Sequence, residues 1–118
     1  MMFTIDASAA TPPFEQLRVQ VRDAVAAGEL AAGAKLPTVR ALADELGLAV
    51  NTVARAYREL ETDGVIETRG RAGSFVAPQG DAASQQAQVA AREFVDRARR
   101  LGLDDASALD LVRAAQRG

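Results

Sequence analysis

The chain has 118 residues, 48% apolar but only 4% aromatic, which suits one small domain with an appendage and a core of Ala, Leu and Val. It contains no Cys and no His, which removes disulfides, thiol catalysis, structural zinc sites and imidazole acid–base chemistry together. The net charge is −2, from 14 basic and 16 acidic side chains, so a nucleic-acid partner is compatible only with charge segregated by face. No acidic cluster has the spacing of a calcium loop, and neither metal nor cofactor is expected. No apolar run approaches the ~20 residues of a membrane span, and the opening MMFTIDASAATPP lacks the regions of a secretory signal. A cytoplasmic protein without membrane association is expected.

Met2 to Ile5 has the pattern of a short edge strand, and Ser8 to Thr11 that of a loop. Thr11-Pro12-Pro13 reads as a helix start, with Thr11 as N-cap. Phe14, Leu17, Val21 and Val25 then recur at helical spacing as far as residue 27, where Gly28 stops the helix. Leu30 to Leu36 reads as a connector turning at Gly33. Pro37-Thr38 opens a short second helix with a Val39, Leu42, Ala43, Leu46 stripe, closed by Gly47. A third helix spans about Val50 to Thr62, with Val53, Ala56, Tyr57 and Leu60 facing inward at i, i+3, i+4 and i+7. Val65 to Thr68 and Ser74 to Val76 alternate like two antiparallel strands around the loop Arg69-Gly70-Arg71-Ala72-Gly73. The expected fold is mainly α with a small β-wing: a winged helix-turn-helix domain over residues 1–78 and a two-helix dimerisation tail over 79–118.

The third helix carries the chemistry. With its apolar flank buried, Asn51 and Arg55 project outward at i and i+4, and Thr52 sits in the first turn. Asn can hold adenine through two hydrogen bonds, Arg can hold guanine, and Thr offers a hydroxyl to phosphate or a methyl to thymine. The helix N-terminus attracts phosphate through its free N–H groups. Arg58 lies one turn further on, but Glu59 and Glu61 flank it, and a solvated ion pair is the simpler reading. Arg40, at the start of the second helix, can clamp phosphate; its alternative is an i+4 pair with Asp44 worth only ~0.3–0.5 kcal/mol. Arg69 and Arg71 put two positive charges on a narrow turn stocked with Gly70 and Gly73, able to reach a phosphate ridge or a minor groove.

Taken in order, these pieces resemble the winged helix-turn-helix domain of the GntR family of bacterial transcription regulators. The motifs are PFEQL at residues 13–17, GAKLPTVRALA at 33–43, GLAVNTVARAYREL at 47–60, DG at 63–64 and RGRAGSFV at 69–76. The tail sequence LGLDDASALDLV is similar to the short YtrA-type subgroup, in which a compact two-helix part serves dimerisation. The resemblance implies a homodimer on a double-stranded DNA operator with dyad symmetry, most simply a repressor. It implies DNA contacts at Arg40, Asn51, Thr52, Arg55 and the wing residues Arg69 to Gly73. Two positions depart from the family pattern: Ala49 cannot cap a helix, and Val50 stands where the family often has Arg. Either the operator differs at the matching base pairs or Val50 packs against a thymine methyl.

In the tail, Ala87, Ala91, Phe94, Ala98 and Leu101 alternate spacings of four and three, a narrow seam of coiled-coil type. This seam is the expected dimer contact, because two recognition helices must sit about 34 Å apart to read both half-sites; its alternative is a helix that folds back on its own winged domain. Some 40 residues after the wing are too few for a ligand-sensing domain, although a small-molecule effector could bind at the dimer interface. Two other classes compete. One is a winged-helix module for protein–protein contact, favoured by the acidic balance and opposed by Asn51 with Arg55. The other is a fragment of an enzyme fused to such a domain, opposed by a tail that reads as a complete ending and by the lack of any Lys beyond Lys35. No enzymatic activity is expected.

Overall fold

The structure is a computed structural model that describes residues 3–118. The chain divides into two compact units, Met1–Gln79 and Gly80–Gly118. The first contains helices α1 (Pro13–Ala26), α2 (Val39–Leu46) and α3 (Val50–Thr62), then strands β1 (Ile66–Thr68) and β2 (Ser74–Val76). The second contains α4 (Ala82–Arg100) and α5 (Asp105–Arg117). The fold is mainly α with a small wing, as the periodicity predicts.

The core of the first unit forms around α3, which packs on both α1 and α2. Leu17, Val21 and Val25 of α1 meet Leu42 and Ala43 of α2 and Val53, Ala56, Tyr57 and Leu60 of α3, with Leu36, Val65, Ile66 and Val76 closing one end. No polar side chain is buried among them. Thr38 caps α2 by accepting a hydrogen bond from the Ala41 N–H at 3.1 Å, and Gly47 ends it at φ +67°, where a side chain would be strained. The Tyr57 hydroxyl crosses from α3 and donates to the Pro37 carbonyl at 2.7 Å, tying α3 to the residue before that cap.

Three expectations need correction. The N-cap of α1 is Pro12, not Thr11, and it makes no side-chain cap; the Thr11 carbonyl instead accepts from the Gln16 amide at 2.7 Å. Residues 3–5 belong to no strand, and Met2 lies outside the described residues. They form an extended arm held by two glutamines. Gln20 both accepts from the Thr4 N–H and donates to its carbonyl, at 3.0 and 2.7 Å, and Gln16 does the same for Asp6, at 2.9 Å each. Four helical residues advance about 6 Å and two extended residues about 6.7 Å, so side-chain amides at i and i+4 match alternate residues of the arm. Phe3 and Ile5 then pack against the core.

The connector before α2 is the third correction, because it joins the wing. The Gly33 N–H donates to Val76, Val76 to Ala34, and Leu36 to Ser74, at 2.8, 2.9 and 2.9 Å. Lys35 thereby pairs antiparallel with Phe75, beside the β1–β2 ladder in which Glu67 faces Phe75.

In the second unit, α4 starts at Ala82, earlier than the polar composition of residues 79–84 suggests, because Asp81 caps it through the Ser84 N–H at 2.8 Å. Asp104 caps α5 in the same way through Ser107. Those backbone donors hold both carboxyls below the usual carboxylate range. Gly102, at φ +85°, turns the chain between the helices.

Burial raises the Tyr57 phenol from its ordinary 10.0 to about 12. The folded state therefore keeps its proton longer than the unfolded one. The associated stability is complete below about pH 10 and is lost as pH rises toward 12. Tyr57 is the only tyrosine, so the phenolate absorbance of the folded protein should titrate near the upper value. Tyr57→Phe should lower unfolding free energy at neutral pH by ~0.5–1.5 kcal/mol in urea titrations and flatten the alkaline decline.

Candidate nucleic-acid interface

Helix α3 offers its outer flank to solvent. Asn51, Arg55 and Arg58 are exposed, Thr52 is half-buried beside them, and Val50 is 43% exposed at the helix start. Ala49 is the N-cap and provides no side-chain acceptor. The first intrahelical donors are Thr52 and Val53, both to the Ala49 carbonyl, so the N–H groups of Val50 and Asn51 have no partner among the described residues. The cap side chains of α2, α4 and α5 each take the third N–H of their helix, whereas in α3 that N–H, on Thr52, turns to the Ala49 carbonyl and no side chain stands over the first two donors, which lie open to an incoming anion.

The cations around this helix end fall into two groups. Arg40, Arg58 and Arg71 are exposed and form no ion pair or hydrogen bond through their side chains among the described residues. The expected alternatives, Arg40 with Asp44 and Arg58 with its neighbouring glutamates, do not form. Arg55 and Arg69 are held. The Arg55 guanidinium lies over the Phe14 ring, 3.6 Å from its centre, with Nε 3.8 Å from Glu59. Arg69 lies over Phe75 at 4.3 Å, but its fork is taken by Glu67, with Nε donating at 2.9 Å and one terminal nitrogen bonding the same oxygen. Of the two wing arginines, Arg71 is therefore the free one.

Acid toward the C-terminal end of α3 is paired. Arg18 hydrogen-bonds Glu15 and sits 3.7 Å from Asp63. The Arg18 bond is the main cause that holds the Glu15 carboxyl low, with the charges of Arg22 and Arg55 contributing.

The wing tip is a single 3-10 turn, Gly70–Ala72, closed by the Arg69 N–H donating to Gly73 at 2.8 Å. Gly70 has φ +51° with open space around it, whereas Gly73 has φ +110° and the Lys35 Cε 3.2 Å from where a Cβ would stand. Lys35 therefore shares the base of the wing, a placement the sequence reading missed because it treated residues 30–36 as connector only. In hindsight, the spacing of Ala34 and Leu36 around Lys35 is the alternation of a strand.

Residues 13–76 match the sequence profile of the bacterial regulatory proteins of the gntR family. The chain belongs to that family. It is 51% identical over 105 residues to the HTH-type transcriptional regulator Rv1152 of Mycobacterium tuberculosis, covering 89% of this chain and 86% of that one. It is 43% identical over 77 residues to the HTH-type transcriptional repressor YtrA of Bacillus subtilis, covering 64% and 58%. Among solved structures, YtrA from Sulfolobus acidocaldarius, a GntR-family transcription factor, superposes with a TM-score of 0.61 at 28% identity, covering 96% and 95%. The protein is accordingly a transcription regulator with a DNA-binding helix-turn-helix, from a family of regulators rather than enzymes. Among the described residues, no helix is long and apolar enough to cross a membrane.

The two wing glycines should respond unequally to substitution. Gly73→Ala should cost ~1–3 kcal/mol in denaturant unfolding, since its backbone lies where only Gly is at ease and Lys35 must move. Gly70→Ala, strained but sterically free, should cost less, ~1–2 kcal/mol.

Proposed function

We propose that this regulator is a homodimeric cytoplasmic repressor that binds a palindromic operator through α3 and the wing. The observation that carries the reading is the uncapped start of α3, where free N–H groups stand beside exposed Asn51 and half-buried Thr52. In this reading the N–H groups and Arg40 take phosphate. Asn51, Thr52 and Arg55 face base edges, and Val50 packs on a thymine methyl. The turn Arg69-Gly70-Arg71-Ala72-Gly73 brings Arg71 to the adjacent phosphate ridge or minor groove, with Arg69 bracing the turn from behind. The DNA-binding domain then spans residues 1–78 and the dimerisation tail 79–118.

The dimer contact needs a wider definition than a seam on α4 alone. Ala98 is 2% exposed and has almost no surface left to give a second chain. Ala87 and Ala91 are exposed, Phe94 is half-buried and Leu101 is 70% exposed. Large apolar side chains are also bare at Val89 on α4 and at Leu109, Leu111 and Val112 on α5. A contact using both helices around Phe94, Leu101 and Leu111 accounts for more of this surface than the α4 stripe.

Selection of bound duplexes from a random pool by the purified protein should return palindromes with half-site centres about one helical turn apart. Arg55→Ala should then cost ~1–3 kcal/mol at one base pair per half-site, and affinity should fall steeply with salt. A pool that returns no shared sequence would overturn the reading. Separately, Leu111→Asp and Phe94→Asp should each give monomers in analytical ultracentrifugation with weakened operator binding. Dimers that persist in both variants would remove the tail from the interface.

A further inference from the structure

Phe14 opens α1 and Arg55 lies in the second turn of α3, yet the two side chains stack with the guanidinium carbon 3.6 Å from the ring centre. We propose that Phe14 is a positioning residue for DNA recognition: its ring holds the Arg55 guanidinium flat and aims its terminal nitrogens outward. This rests on the reading of Arg55 as a base contact.

The geometry leaves the useful part of the group free. Phe14 covers one face, and Glu59 stands 3.8 Å from Nε, so the side chain is restrained at its face and at its inner edge. Neither contact uses the two terminal nitrogens, the pair that grips guanine O6 and N7 bidentately. The side chain is still 56% exposed. Arg69 has the same stack on Phe75, but there Glu67 bonds both Nε and one terminal nitrogen, so that fork is already engaged. Arg40, Arg58 and Arg71 have neither support. An unrestrained Arg surrenders its rotamer freedom when it docks, whereas one already held loses less, so its hydrogen bonds convert more fully into discrimination.

A cation–π contact at an exposed site corresponds to about two- to fivefold in an equilibrium constant. The test uses the whole chain and four variants, Arg55→Ala, Phe14→Leu, Phe14→Tyr and the Arg55→Ala/Phe14→Leu pair, on the selected operator and on operators changed at each position. Phe14→Leu keeps an apolar side chain on the core but removes the ring. It should lower discrimination by about two- to fivefold at the base pair identified by Arg55→Ala, and leave other positions and the salt dependence unchanged. Phe14→Tyr should retain discrimination. In an Arg55→Ala background, Phe14→Leu should have no further effect. A structural role alone predicts the opposite: weaker binding at every position, whether or not Arg55 is present.

Proton NMR of the DNA-free protein gives an independent readout. The Arg55 side-chain protons should be shifted upfield by the ring and return to ordinary positions in Phe14→Leu. Unshifted protons in the wild type, or equal discrimination in wild type and Phe14→Leu, would overturn the positioning role while leaving DNA binding intact. Loss of all sequence preference in the wild type would instead sink the function on which it rests.

Discussion

One helix has to satisfy two opposed demands. Val53, Ala56, Tyr57 and Leu60 bury one flank of α3 against α1 and α2, while Asn51, Arg55 and Arg58 on the other flank stay in solvent. The buried flank fixes the rotation of the helix, and the rotation decides which side chains can face DNA. Turning α3 by one residue would move each side chain about 100° and bring Arg55 toward the core, where an unpaired charge is very costly. Tyr57 strengthens this lock because its hydroxyl must find the Pro37 carbonyl, and only one rotation allows that bond. The start of α3 is consequently held in register with the start of α2, and so with Arg40.

An acidic chain can still present a positive face if its acids are used elsewhere. Glu15 and Asp63 are engaged by Arg18, Glu67 by Arg69, and Glu61 accepts a hydrogen bond from Thr68. Arg40, Arg58 and Arg71 keep their charge unspent. Net charge therefore describes this molecule poorly, and the pairing pattern describes it better. With few free cations, affinity has to come from well-placed contacts rather than a general positive field, which favours base reading over indiscriminate attraction.

The helices and wing were legible because their signals are local. Helical spacing of Leu, Val and Ala marked the buried flanks, Gly28 and Gly47 marked the ends, and the two short β-patterns framed a glycine-containing turn. What escaped depends on long-range pairing. Gln16 and Gln20 look like ordinary polar positions of a helix until the chain folds back to bring Thr4 and Asp6 within reach. Lys35 looks like loop until its bridge to Phe75, with the Leu36 N–H donating to Ser74, sets it beside the wing. The outward placement of Asn51 and Arg55 could be read from spacing, but not the stack of Arg55 on Phe14, which joins residues 41 positions apart. Ala98, buried within its own chain, is a related case. A heptad-like stripe states which residues share a face of a helix, but not how much of that face the chain covers itself.

The tail brings the argument back to size. A core with few aromatics closes the first unit without burying a polar side chain among the described residues. The second unit is different: among its described residues only Ala98 and Ala108 are buried, while Leu101, Leu109 and Leu111 remain in water. Two helices with so little buried area gain little hydrophobic stability from each other. Their caps at Asp81 and Asp104 favour helix formation, yet caps contribute only ~1 kcal/mol each. In the proposed dimer the missing burial comes from a second copy, so that ordering of the tail and pairing of the two DNA-reading helices become one equilibrium. A regulator of this design would respond to anything that competes for that apolar surface, which is a route to control that requires no separate sensing domain.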